Sequence, residues 1–388
     1  LIYLDNNATT AIDPAVVEAM MKCFAIGPMN ASSQHAIGRA ARKELDAAIS
    51  EIGRLLGADV DSPGGDSLVL TSGGSESNNL ALRGIGDANA PLVVSTIEHP
   101  SVLAVASSMH AQGREVRVLP VSDRGVVDIP SAKKLISQLP KPGLVSVMSA
   151  NNETGVIQPI QSLAEICRRL EVPLHVDATQ TIGKLPFNFE TSGIAAVTFT
   201  THKFHGPAGI GGLMLRAGLS LRPMLLGGEQ QFGKRPGTEA VPLVVGMAKA
   251  LGIAIEAQSQ VATRLQRLRD GMETELAATI PDIIIHGKGE DRLPGTSYFS
   301  LPQVDRQAML MALDLAGLAC SSGSACASGS SRPSHVLEAM RVPENAINSA
   351  IRLGMSKFST EEDIRQAIDT ICRQHLRLRK FSMVEKSE

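Results

Sequence analysis

Thr198-Phe-Thr-Thr-His-Lys-Phe-His-Gly-Pro-Ala-Gly-Ile-Gly-Gly-Leu213 carries an apolar run into a turn rich in His and Gly, and that turn presents a single lysine, Lys203. A lysine whose ammonium is poorly solvated loses its proton easily and can condense with an aldehyde. Taken alone, Lys203 reads more readily as a surface lysine at a strand end. Just upstream, Val172-Pro-Leu-His-Val-Asp-Ala-Thr-Gln180 is a second apolar strand that ends in one carboxylate, Asp177. A carboxylate there is suited to pair with a protonated pyridine nitrogen, so the two strand ends together point to pyridoxal 5'-phosphate as cofactor.

Outward from this pair, short apolar strands alternate with helical patterns from about residue 66 to 215, the signature of βαβ units and a mostly parallel sheet. Ser67-Leu-Val-Leu-Thr-Ser-Gly-Gly-Ser-Glu-Ser-Asn-Asn-Leu80 reads as a strand, a Gly-Gly turn and a helix start. Free N–H groups at such a start bind phosphate, which makes Gly73, Gly74 and Ser75 candidates; an ordinary capped helix has the same pattern. Pro91 to His99 is another apolar run and ends in Glu98 and His99, Val116 to Val121 is a further strand, and Leu144 to Gly155 ends in a polar turn with Asn152. Ligands of open α/β sheets gather at the carboxyl ends of the strands, where Ser75, His99, Asn152, Asp177 and Lys203 all fall.

The flanks give the remaining organisation. Tyr3 to Thr10 is small and polar and is expected to be an arm or loop; helices are expected from about Pro14 to Phe24 and from Ile37 to near Gly57. Gly227 to Thr238 is a Gly-rich loop too long for a tight connection. A long helical region follows to about Ala278, and its apolar part, Ala240 to Ala257, reads as buried helix because Lys249 and Glu256 interrupt it. Strands at Asp282 to His286 and Thr296 to Leu301 open a second unit, with a boundary near 255. The expected division is an N-terminal arm over 1–14 that packs with the small domain, a large cofactor-binding domain over 15–255 and a small α+β C-terminal domain over 256–388 that carries the loop around Cys326. Ser321 to Ser331 is almost wholly small and polar around Cys326, a setting for a reactive thiol rather than a packed one. Arg352, in apolar company, calls for a buried anion such as a substrate carboxylate or a structural partner. Ser359 with Glu362 predicts the cap of a last amphipathic helix.

Composition narrows the class. A net charge of -2 without a basic block argues against nucleic acid, and no membrane span or secretory leader is expected. The chain begins on Leu1 rather than Met, and five cysteines without metal-ligand spacing suggest free thiols in a reducing cytoplasm and no metal site.

These motifs, in this order, resemble the cysteine desulfurase family of fold-type I pyridoxal phosphate enzymes, in the NifS/IscS-like branch. The resemblance runs from Tyr3 to about His375 and rests on Leu4-Asp-Asn-Asn-Ala-Thr-Thr10, Thr71-Ser-Gly-Gly-Ser-Glu-Ser-Asn78, Glu98-His99, Asn151-Asn-Glu-Thr-Gly155, His175-Val-Asp-Ala-Thr-Gln180, His202-Lys203, Arg235-Pro-Gly-Thr238 and Ser321-Ser-Gly-Ser-Ala-Cys326. It implies an α/β fold with a mostly parallel central sheet, helices on both faces and a smaller α+β C-terminal domain. By position, it implies that Lys203 carries the cofactor and moves protons, that His99 stacks on its ring and shares acid–base work, and that Asp177 and Gln180 hold the ring nitrogen and phenolic oxygen. Gly74, Ser75, Thr200 and His202 would hold the phosphate, joined by Thr238 from the second subunit of a homodimer. Arg352 and Asn152 would bind the carboxylate of L-cysteine. Cys326 would take the sulfur as a persulfide, release alanine, and pass sulfur to an acceptor or scaffold protein for iron–sulfur cluster or thio-cofactor synthesis. The chain departs from the family pattern at Gly227-Gly-Glu-Gln-Gln231 and at Ala208, where lysine is frequent. The competing readings are a selenocysteine lyase or another C–S lyase, and, from another class, a non-enzymatic sulfur carrier or scaffold, which would have had no need to retain Lys203 and Asp177. A generic aminotransferase has no use for Cys326.

Overall fold

A computed structural model describes residues 1–139, 143–323 and 333–384. Its centre is a seven-stranded sheet in the order Ser67–Thr71, Gly211–Leu215, Ala196–Thr200, Leu174–Asp177, Leu144–Met148, Leu92–Ser95, Val116–Leu119. Only Gly211–Leu215 runs against its two neighbours; the other neighbouring pairs are parallel. The alternation of side chains along a strand explains why these runs are apolar throughout. Leu68, Val93, Val145, Val147, Val176, Val197 and Phe199 join the core on one face, beneath the helices Ala36–Leu56, Ile160–Arg169 and the start of Val241–Thr279. Val69, Leu92, Val94, Leu144, Ala196 and Leu213 join a separate core on the other face, beneath Gly74–Gly84 and Pro100–Ala111. Each fully buried Val or Leu contributes about 1.5–3 kcal/mol, so either face alone would outweigh any local preference of these segments.

Register then levels the strand ends. Met148 lies opposite Asp177, and Asp177 opposite Thr198. Consequently the turns that follow these strands open onto one rim.

The second unit has a three-stranded antiparallel sheet in the order Ala350–Gly354, Thr296–Ser300, Ile284–Ile285, covered by helices Arg306–Leu315 and Glu361–Val384. Helix Val241–Thr279 runs unbroken through residue 255: Val241, Val244, Met247 and Leu251 lie in the large core, Leu265, Leu268, Met272 and Leu276 in the second. Among the described residues it is the one helix long and apolar enough to cross a membrane, but those apolar positions are spent on the two cores.

Three local expectations are corrected. Ile2 and Tyr3, at the head of the expected arm, form a short strand that pairs in parallel with Leu318 and Ala319, and Leu4 beyond it is fully buried. The Val116 strand stops at Leu119, because Pro120 has no N–H to continue the ladder. The last helix is capped by Thr360 and Asp363 rather than Ser359 and Glu362. Asp363 N–H donates to Thr360 Oγ1 at 3.1 Å and Thr360 N–H to Asp363 Oδ2 at 2.8 Å, a reciprocal capping box, while Ser359 Oγ accepts from Ser356 N–H at 3.0 Å.

Candidate active site

The rim of the large sheet and the strand carrying Arg352 enclose a cavity of about 1090 Å³. Gly74, Ser75, His99, Asn152, Asp177, Gln180, Thr200, His202, Lys203 and Arg352 all line it. Thr238 is exposed and does not, and Cys326 lies outside the described residues.

Lys203 closes a 3-10 turn, Thr201–Lys203, that follows strand Ala196–Thr200 directly. Its Nζ donates to the carbonyls of Asn7 and Ala8, both at 2.6 Å. The N-terminal segment is tied to the same turn by Thr10 N–H to His202 O at 2.9 Å and His205 N–H to Thr10 Oγ1 at 2.8 Å. Burial, aided by the nearby Arg352 charge, pulls the Lys203 amine down to about 8, with Asp5 and Asp177 acting the other way. The glycines after the lysine have a steric reason. A Cβ on Gly211 would stand 2.6 Å from Gly73 C and 2.7 Å from Gly73 Cα, so only glycine lets this strand lie against the turn that opens helix Gly74–Gly84.

That helix has no side-chain cap at its N-terminus, which leaves its first N–H groups for the cavity. Glu76 in its first turn, which would oppose an anion, is taken up by Arg235 at 2.9 Å, and that partner, with the Ser72 contacts, holds its carboxyl below the usual range against the opposing effect of burial. Thr200 Oγ1 donates to Ile210 O at 3.0 Å, and the His202 ring, 3.2 Å from Thr9 Oγ1, is pushed down to about 4 by burial and is neutral.

At the other end of the floor, Asp177 accepts from Asn78 Nδ2 at 2.7 Å and from Thr179 N–H at 3.0 Å, so its carboxylate is fixed in direction. Asn78 Oδ1 and Thr179 Oγ1 beside it are buried without partners. His99 caps helix Pro100–Ala111 and accepts the Ser101 N–H on Nδ1 at 3.1 Å, which places the proton of the neutral ring on Nε2. Burial pulls its pKa below the ordinary value, against the attraction of Asp177. Gln180 donates to Asn7 O at 3.1 Å and accepts from Lys184 Nζ at 2.9 Å, leaving one amide N–H to offer.

Across the cavity, Arg352 is buried on the strand Ala350–Gly354 and donates from Nη1 to the backbone carbonyl of Asn152 at 3.0 Å. Cys320, the one described cysteine on the cavity wall, is pushed up to about 12 by burial and is not a thiolate at neutral pH. Burial also raises Cys23, Cys167 and Cys372.

Three residues lining the cavity have no role assigned from the sequence: Asp5, Asn7 and Asn78. Asn78 carries the one local signal, since it lies four residues after Gly74 and so on the same helix face. Glu98 is fully buried, accepts from Ser95 Oγ at 2.5 Å and Met148 N–H at 2.9 Å, and is raised to about 8 by burial.

The chain is similar to known proteins over most of its length. The aminotransferase class-V family matches residues 2–367. A cysteine desulfurase of Gluconacetobacter diazotrophicus is 39% identical over 98% of this chain and 95% of its own length. Among solved structures, a NifS-like protein from Rickettsia africae superposes with a TM-score of 0.89 at 31% identity, covering 97% of this chain and 99% of that one. SspA in complex with cysteine gives a TM-score of 0.78 at 27% identity over 93% of this chain and 100% of that one.

Proposed function

The chain belongs to the class-V aminotransferase family, in its cysteine desulfurase branch, and from that premise we propose that it binds pyridoxal 5'-phosphate in the rim cavity and moves sulfur from L-cysteine to Cys326. The observation that carries the reading is that one cavity brings together an amine lowered to about 8 on Lys203 and a carboxylate fixed in direction on Asp177. The residues present fit the cofactor. The uncapped helix start at Gly74 suits a phosphate, and the partnerless Asn78 Oδ1 and Thr179 Oγ1 are polar groups that a bound molecule would satisfy.

When bound, the cofactor supplies an electron sink that stabilises negative charge on the substrate carbon skeleton, which no side chain can do. Everything else falls to the chain. Asp177, held by Asn78, would pair with the ring nitrogen. Gly74, Ser75, Thr200 and His202 hold the phosphate end. Lys203, a fraction of which is neutral at pH 7, takes and returns the substrate's α-proton, and His99, with its proton on Nε2, presents a donor to the reacting face. Arg352 receives the substrate carboxylate. The Cys326 thiolate attacks the substrate sulfur: the C–S bond of L-cysteine breaks, an S–S bond forms, and the products are L-alanine and a Cys326 persulfide. The raised thiols of the described cysteines leave Cys326 as the nucleophile of choice. The persulfide sulfur then passes to an acceptor protein for iron–sulfur cluster or thio-cofactor synthesis.

A homodimer is part of this reading. Leu226 and Phe232, 89% and 88% exposed, flank and occupy the Gly227 to Thr238 segment, where Gln231 and Phe232 also hold left-handed backbone conformations. Apolar groups and strained backbone of this kind suit an interface, through which Thr238 would reach the phosphate of the second subunit.

Adding pyridoxal phosphate to the apoprotein tests the cofactor claim. Visible absorption of a lysine-bound cofactor is expected in the wild type and absent in Lys203→Ala. Because imine formation needs the neutral amine, the rate of uptake should rise with pH and level off above about 8. Equal absorption in both proteins would remove Lys203 from its role.

A further inference from the structure

Arg352 is only 4% exposed, and an unpaired guanidinium at such a depth is costly. Four of its donors are already committed. Nη1 donates to the carbonyls of Asn152 at 3.0 Å and Gly323 at 3.3 Å, and Nη2 donates to Asp5 Oδ1 at 2.7 Å and Ser321 Oγ at 2.8 Å. Nε alone has no partner. A carboxylate grips a guanidinium best through two parallel N–H bonds, so an incoming carboxylate finds one free donor and must take a second from a group already there.

We propose that Asp5 is a resident carboxylate that neutralises Arg352 until the substrate's α-carboxylate displaces it, and that Asp5 thereby sets the affinity for substrate and product. The proposal rests on the role given to Arg352 above. Of the four groups on the guanidinium, only Asp5 is an anion, so its replacement by another anion conserves charge in the buried site. The backbone holds Asp5 in place: Gly354 N–H donates to Leu4 O at 2.6 Å and Asn6 N–H to Gly354 O at 3.1 Å, which locks the Asp5 segment beside the Arg352 strand. Only the side chain has to move. Once displaced it is not stranded, because Ser321 Oγ donates to Asp5 Oδ1 at 2.9 Å and the Asp5 side chain keeps 21% exposure to water. Asp5 is thus a specificity residue acting through Arg352. It keeps the empty site stable, and it weakens the hold on the alanine carboxylate so that product leaves.

The test is the affinity of the holoenzyme for propionate, which has the carboxylate but no amine, and for L-alanine, each by calorimetry in the wild type and in Asp5→Asn. Charge-assisted hydrogen bonds are each worth about 1.5–3 kcal/mol, so relief from this competition should tighten both ligands by at least about tenfold. The KM for L-cysteine should fall while kcat does not rise. The empty variant should also melt lower than the wild type and gain more from added propionate. If Asp5→Asn folds and binds either ligand no better than the wild type, Asp5 merely orients Arg352 and the proposal is wrong. If the variant does not fold alone, propionate should rescue its refolding, since any anion opposite Arg352 would serve; failure of rescue also overturns the proposal. Turnover of L-cysteine by the wild type tests the underlying reading separately, because a wild type that binds propionate in this Asp5-dependent way but turns over no cysteine refutes that reading alone.

Discussion

Gly211→Ala probes the phosphate end of the cavity from behind. The added methyl would meet the backbone of Gly73 at 2.6 Å from C, 2.7 Å from Cα and 3.0 Å from O. These are main-chain atoms with no rotamer to escape into, and the strand that carries Gly211 is pinned on both sides, opposite Thr71 and Thr200. The turn Gly73–Gly74 is the softer partner, so it should be pushed toward the cavity and misaim the first N–H groups of the helix. Overpacking of this kind costs about 1–3 kcal/mol, which, if it falls on the liganded state, weakens pyridoxal phosphate binding roughly 5- to 150-fold. Equilibrium dialysis of the cofactor against wild type and variant, with a thermal melt of both apoproteins, measures where the cost falls. An unchanged dissociation constant in a variant that melts with the wild type would refute the claim that Gly211 exists to seat the phosphate turn.

Two further perturbations follow. Glu98→Gln should change little near pH 5 and become stabilising as pH rises toward 8. The wild-type carboxyl, raised to about 8 when folded, binds a proton there that the unfolded chain has released, so wild-type stability is lost through that window; a gain of up to a few kcal/mol, flat above pH 8, is expected in denaturant titrations at several pH values. Thr360→Ala should cost about 0.5–2 kcal/mol of unfolding free energy and Ser359→Ala less, since the capping box belongs to Thr360; equal losses in denaturant melts would contradict that assignment.

The strand ends of the large sheet were legible because their signals are local. An apolar run followed by a polar or Gly-rich turn shows where a βα unit delivers its side chain, and Ser75, His99, Asn152, Asp177 and Lys203 do meet in one cavity. What the sequence could not show was pairing across the chain. Nothing near Asp5 announces Arg352, which is 347 residues away, and nothing near Asn7 announces that its carbonyl receives Lys203. The same holds for Ile2 and Tyr3, whose strand partner, Leu318 and Ala319, enters from the far end of the chain. The capping box was misplaced by one residue because Ser359-Thr360 and Glu362-Asp363 offer two overlapping matches to one pattern, and only the backbone geometry decides between them.

The central claim is that sulfur leaves L-cysteine for the thiol of Cys326. Alanine release from L-cysteine, with pyridoxal phosphate and a reductant present, should be measured for the wild type, Cys326→Ala and Cys320→Ala. The account predicts release by the wild type and by Cys320→Ala, whose lost thiol is pushed up to about 12 and takes no part, and none above background by Cys326→Ala. Undiminished release by Cys326→Ala would mean that sulfur departs without that thiol, and the account would be contradicted.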